Sequence, residues 1–127
     1  MNISIIGFGH IGSVIGSVIA SKDHHIFGID KNLSLINSFK DARNPISEPN
    51  LQKLITKKIN SNFLQLTNSF EPIYKSEVVI ITVGTPLSEN NSADLKYLSE
   101  TCIDIEPYIQ DGQLIIVKST IPPGTTR

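Results

Sequence analysis

Ile3-Ser4-Ile5-Ile6-Gly7-Phe8-Gly9-His10-Ile11-Gly12 joins a short apolar run to three closely spaced glycines. An apolar run of this length that ends in glycine reads as a buried strand. From His10 to about Ala20, Ile11, Val14, Ile15, Val18 and Ile19 recur at helical spacing. His25 to Ile29 is a second apolar run, closed by Asp30. Strand, helix and strand within about 30 residues is the size of one βαβ unit.

In that setting Gly7, Gly9 and Gly12 form a G-x-G-x-x-G sequence placed between a strand and a helix. The first glycine permits the tight turn and the second lets backbone approach a pyrophosphate. The third lets helix and strand pack closely. The helix beyond offers unpaired N–H groups and a partial positive charge to phosphates. Asp30 stands 18 residues past Gly12, where a carboxylate accepts the adenosine ribose hydroxyls and repels a 2′-phosphate. NAD is therefore expected over NADP, with the Lys31 cation tempering that preference. The structural alternatives are a plain turn at the glycines and a helix cap at Asp30.

Outward from this unit the alternation continues. Asn32 precedes Leu33, Leu35, Ile36 and Phe39, a capped helix. Pro49 to Ile59 carries Leu51, Leu54 and Ile55 on one face as a further helix. Phe63 to Leu66 suits a weak strand and Ser69 to Lys75 a short helix. Val78 to Val83 is the clearest strand, β-branched and bounded by Gly84 and Pro86. Residues 89–92 read as loop. Ala93 to about Ile109 has Leu95, Leu98, Cys102, Ile105 and Ile109 at helical spacing, with Pro107 able to end it early. On that spacing Cys102 reads as a core residue. Leu114 to Val117 reads as a last buried strand.

These elements predict an α/β fold, a doubly wound and mostly parallel sheet covered on both faces. Five strands can be counted, against about six in a full doubly wound dinucleotide domain. The expectation is one dinucleotide-binding domain over residues 1–127, truncated after about five strands.

Two later segments fall at the C-terminal ends of strands, where open α/β sheets place ligands. They are Val83-Gly84-Thr85-Pro86 and Val117-Lys118-Ser119-Thr120-Ile121-Pro122-Pro123-Gly124-Thr125-Thr126. Taken alone they could be strand-end turns capped by hydroxyls. Together with Gly7 to Gly12, Asp30-Lys31, Ser47-Glu48-Pro49-Asn50-Leu51 and Ala93-Asp94-Leu95, they resemble the UDP-glucose/GDP-mannose dehydrogenase family. The matching pieces cover essentially the whole chain, and their joint order is more specific than any one of them.

The resemblance implies an N-terminal Rossmann-like NAD-binding domain of an enzyme that oxidises C6 of a nucleotide sugar twice. It places Gly7, Gly9, His10, Ile11 and Gly12 in the pyrophosphate loop and Asp30 with Lys31 at the ribose. Val83, Gly84 and Thr85 then lie near the cofactor, and Thr120 helps hold a catalytic water. Two positions depart from the family pattern. His10 replaces an aromatic residue and Asn50 a glycine, and Asn50 can adopt the left-handed conformation the turn needs. Glu48 matches a motif glutamate whose role is not derivable from the sequence.

The family's nucleophilic cysteine belongs to a C-terminal half, which the chain is expected to lack together with the central helix. The fragment alone is then inactive, and its bared sheet edge would invite a homo-oligomer. Within the family the motifs look closest to the UDP-glucose branch, with GDP-mannose and UDP-N-acetylhexosamine dehydrogenases as alternatives. A β-hydroxyacid type of dehydrogenase fits Lys118-Ser119-Thr120 poorly, and a stand-alone NAD-sensing module is the non-enzymatic alternative.

Composition agrees with this reading and excludes others. Eleven Lys and Arg against 12 Asp and Glu give a net charge of −1 without clustering. That excludes the basic stripe of a nucleic-acid surface and a polybasic membrane patch. No apolar run approaches the roughly 20 residues of a membrane span, and a single cysteine suits a reducing, cytoplasmic setting. His24 and His25 have no further ligands at metal-site spacing, so no metal is expected.

Overall fold

The computed structural model describes residues 1–43, 45–87 and 93–126, and the loop expected at 89–92 lies outside them. The apolar runs form five strands: β1 (Asn2–Ile6), β2 (His25–Ile29), β3 (Leu64–Thr67), β4 (Val78–Ile81) and β5 (Leu114–Val117). Every neighbouring pair is parallel, in the order β3-β2-β1-β4-β5. Parallel strands need crossovers. These contain α1 (His10–Ala20), α2 (Leu33–Lys40), α3 (Leu51–Asn60) and α4 (Lys96–Ile105). The fold is the Rossmann-like α/β sheet that the sequence predicts.

Alternation along the strands divides the core into two layers. Ile3, Ile5, Ile26, Leu64 and Leu66 pack with Ala20, Ile36, Phe39 and Ile55 of α1, α2 and α3. Ile6, Ile29, Val79 and Ile81 face the other way, against Ile73 and against Leu98 and Ile105 of α4. Ser4 is buried among them, and its hydroxyl lies 2.8 Å from that of Ser76. The helix starts follow the sequence. The Leu35 amide donates to the Asn32 side chain at 3.1 Å, and Asn50 takes the left-handed conformation at φ 62° before α3.

Phe8, from within the glycine loop, turns back into the first layer and is fully buried. Its ring meets Phe39 edge-on at 5.7 Å. Two glycines leave room for it. A Cβ on Gly28 would come within 2.6 Å of the ring, and one on Gly16 within 2.8 Å.

Three expectations need correction. Cys102 is exposed rather than in the core. The buried stripe of α4 runs through Leu98, Thr101 and Ile105, and the 100° turn per residue carries position 102 off its flank. Leu114 to Val117 is a strand but not a buried one, with Leu114 56% and Ile116 37% exposed. Among the described residues β5 is an edge strand paired only with β4, and unlike the other edge strand β3, whose Leu64 and Leu66 are buried, it is left largely uncovered. Finally, the helix expected from Ala93 to Ile109 is shorter. It spans Lys96–Ile105 and tightens into a 3₁₀ turn at Glu106–Tyr108, where Pro107 cannot continue the α-helical bonding.

Gly28→Ala should lower the unfolding free energy by about 1–3 kcal/mol, because the added methyl would fall 2.6 Å from the Phe8 ring and 2.7 Å from a Leu66 methyl, both buried. Urea denaturation would read this as an earlier midpoint at unchanged slope. An unchanged midpoint would mean that ring and strand part freely.

Candidate functional site

The chain changes direction at β1. β2 and β3 are added on one flank and β4 and β5 on the other. Loops leaving the C-terminal ends of β1 and β4 therefore part, and open α/β sheets bind ligands in the crevice so formed. A cleft of about 440 Å³ occupies that place. Gly7, Gly9, Asp30, Lys31, Val83 and Gly84 line it, and Tyr97, Glu100 and Thr101 of α4 form a further wall.

The loop is built around its glycines. Gly7 leaves β1 at φ 88°, and its amide donates to the Ile29 carbonyl at 2.8 Å. A Cβ on Gly12 would fall 2.1 Å from the Gly7 carbonyl oxygen, so helix and turn touch only because that atom is missing. Gly9 is different. Nothing lies within 4 Å of where its Cβ would be, and it faces the cleft. It also begins α1 without any side-chain cap, so the first-turn amides have no intrahelical acceptor.

Asp30 fixes this loop in place. The Phe8 amide donates to its Oδ2 and the Asn32 amide to its Oδ1, both at 2.8 Å. It is thus an acceptor for the loop and for the start of the following turn, while Asn32 itself caps α2. A carboxylate has acceptor sites for about four hydrogen bonds, so both oxygens keep capacity for ribose hydroxyls.

The other residues singled out in the sequence fall around the cleft rather than in it. His10 Nε2 lies 2.8 Å from Glu48 Oε1. That pairing gives both motif residues a partner and turns the imidazole toward the turn before α3. Ile11 is exposed and Gly12 buried. The Thr85 hydroxyl donates to the Thr120 carbonyl at 2.8 Å, and the Ser119 hydroxyl to the Val83 carbonyl at 2.6 Å. These two bonds tie together the turns that follow β4 and β5. Lys31, by contrast, lines the cleft, and its ammonium contacts Asp104 of α4.

Thr82 was not singled out, yet its hydroxyl donates to the Gly7 carbonyl at 2.6 Å and lies 3.1 Å from the Ile6 carbonyl. It pins the glycine turn from the β4 side. The signal was a lone hydroxyl ending the run Val78-Val79-Ile80-Ile81. Tyr97, Glu100 and Thr101 share a helical face, but periodicity alone does not say which ligand a polar face meets. No helix among the described residues is long and apolar enough to cross a membrane.

Comparison with known proteins agrees with this geometry. Residues 1–127 match the model of the UDP-glucose/GDP-mannose dehydrogenase family, NAD binding domain. A UDP-N-acetyl-D-mannosamine dehydrogenase of Methanococcus maripaludis is 37% identical over 129 residues, spanning 98% of this chain and 30% of that protein. A GDP-mannose 6-dehydrogenase of Pseudomonas syringae is 33% identical over the same span, again covering 98% and 30%. The crystal structure of GDP-mannose dehydrogenase from Pseudomonas aeruginosa superposes with a TM-score of 0.93 at 32% identity, over 99% of this chain and 30% of that one. The chain therefore spans about 30% of the length of these relatives. It belongs to the NAD-binding domain family of the UDP-glucose/GDP-mannose dehydrogenases.

Proposed function

We propose that the cleft between β1 and β4 binds NAD and that the chain is the cofactor-binding portion of a nucleotide-sugar 6-dehydrogenase. The observation that carries this reading is the bare Gly9 backbone at an uncapped helix start, facing the cleft with nothing in the way. Diphosphates suit that place because open amides and the helix dipole both favour anions. The Gly7–Gly12 loop would hold the pyrophosphate. Asp30, already oriented by two amides, would accept the ribose hydroxyls.

On this reading Val83, Gly84 and Thr85 flank the nicotinamide end, and Thr120 stands beside Thr85, at the water-positioning place its motif implies. Bound NAD supplies the hydride acceptor. The residues of this chain bind and orient it at the sheet's C-terminal edge. Cys102 lies elsewhere, on the exposed side of α4 next to Ile115 of β5, and takes no part.

The relatives named above act on GDP-mannose and UDP-N-acetyl-D-mannosamine according to their names. They support the GDP-mannose or UDP-N-acetylhexosamine branch over the UDP-glucose branch that the motifs first suggested. The parent reaction we infer is two successive NAD-dependent oxidations of C6, from alcohol to carboxylate.

Calorimetric titration tests the cofactor reading. NAD should bind with a clear preference over NADP, whereas binding of neither would sink the proposal. In a Gly9→Val variant the fold should stay within about 1 kcal/mol, since the new atoms enter open space. NAD affinity should fall by about tenfold or more, because the pyrophosphate can no longer approach the backbone. Unchanged affinity would place the ligand elsewhere. Asp30→Ala should weaken NAD binding and also cost about 1–3 kcal/mol of stability, because it strips the Phe8 amide of its acceptor. A variant as stable as the parent chain would show that Asp30 does not hold the loop.

A further inference from the structure

Lys31 is the single cation among the described residues that line the cleft, and it follows directly on Asp30. A lysine beside the ribose acid would ordinarily offer an ammonium to the 2′-phosphate of NADP, since its four-carbon stem is flexible and its charge is compact. In this chain the ammonium is engaged. Lys31 Nζ contacts Oδ2 of Asp104, one helical turn beyond Glu100 on α4. That oxygen is buried, and no hydrogen bond reaches it among the described residues. The two side chains are otherwise open to solvent, 61% exposed for Lys31 and 36% for Asp104, so the pair is a surface ion pair whose occluded oxygen has the ammonium as its counter-charge. The contact therefore holds Lys31 against α4.

We infer that Asp104 is a positioning residue for cofactor choice: by holding Lys31 against α4, it leaves the ribose end of the cleft to the Asp30 carboxylate and so disfavours NADP. This rests on the reading of the cleft as a dinucleotide site. The sequence set Lys31 against Asp30 as a cation that tempers the preference for NAD. The structure supplies the third group, which cancels that cation at a distance of 73 positions in the chain (104 − 31).

The test compares dissociation constants for NAD and NADP in the 127-residue chain and its variants. Asp104→Asn keeps the side-chain shape and removes the charge. It should tighten NADP binding by about tenfold while NAD changes by no more than about twofold. The gain should vanish in the double variant Asp104→Asn with Lys31→Ala, and shrink in high salt. Lys31→Ala alone should leave NADP affinity within about twofold, because the held ammonium contributes nothing to it. This second variant keeps the test alive should Asp104→Asn fold poorly.

Tight NAD binding by the parent chain with an unmoved NADP to NAD ratio in Asp104→Asn overturns this inference alone. So does a gain that survives without Lys31, or a marked loss of NADP binding in Lys31→Ala. Failure of the parent chain to bind either nucleotide overturns both this inference and the reading of the cleft.

Discussion

The Asp30 carboxylate, at the end of the second strand, is the constraint on which the site depends. By accepting the amides of Phe8 and Asn32, it ties the glycine loop to the β2 end across the sheet. Hydrogen bonds to an ionised acceptor are among the stronger ones available to a backbone. The loop so held presents Gly9 and the open first turn of α1 to the cleft. Moved by even a small distance, those amides would no longer converge on one place.

A second constraint works from below. Phe8 points inward from the same loop and fills the space over Gly16 and Gly28, edge-on to Phe39. One residue thus couples the loop to α1, β2 and α2. Close packing of this kind tolerates little change in volume. Thr82 adds a third anchor by donating to the Gly7 carbonyl from the β4 side. The loop is held by the Asp30 carboxylate after β2, by the Thr82 hydroxyl after β4 and by its own buried Phe8 ring.

Much of this was legible in the sequence, because the parallel sheet leaves a simple trace. Strands buried on both faces read as unbroken apolar runs, and Ile3 to Ile6, His25 to Ile29 and Val78 onward were found that way. The glycine spacing located the cleft, since each glycine stands where a side chain would clash or obstruct. What the sequence did not reveal were properties that depend on what lies alongside. An apolar run looks the same at a sheet centre and at an edge, so Leu114 to Val117 read as buried. Cys102 fell at the margin of a helical stripe, where one residue's rotation decides exposure. The pairs His10 with Glu48 and Lys31 with Asp104 join distant parts of the chain and leave no local pattern.

The most direct measurement of the central claim is an amide chemical-shift titration of the isotope-labelled chain with NAD. If the Asp30-anchored loop is the dinucleotide site, the largest changes will fall at Gly9, His10, Ile11, Asp30, Lys31, Val83 and Gly84. Changes concentrated instead in the groove between α1 and α3, around Val14, Val18 and Leu54, with Gly9 and Asp30 unmoved, would contradict the account.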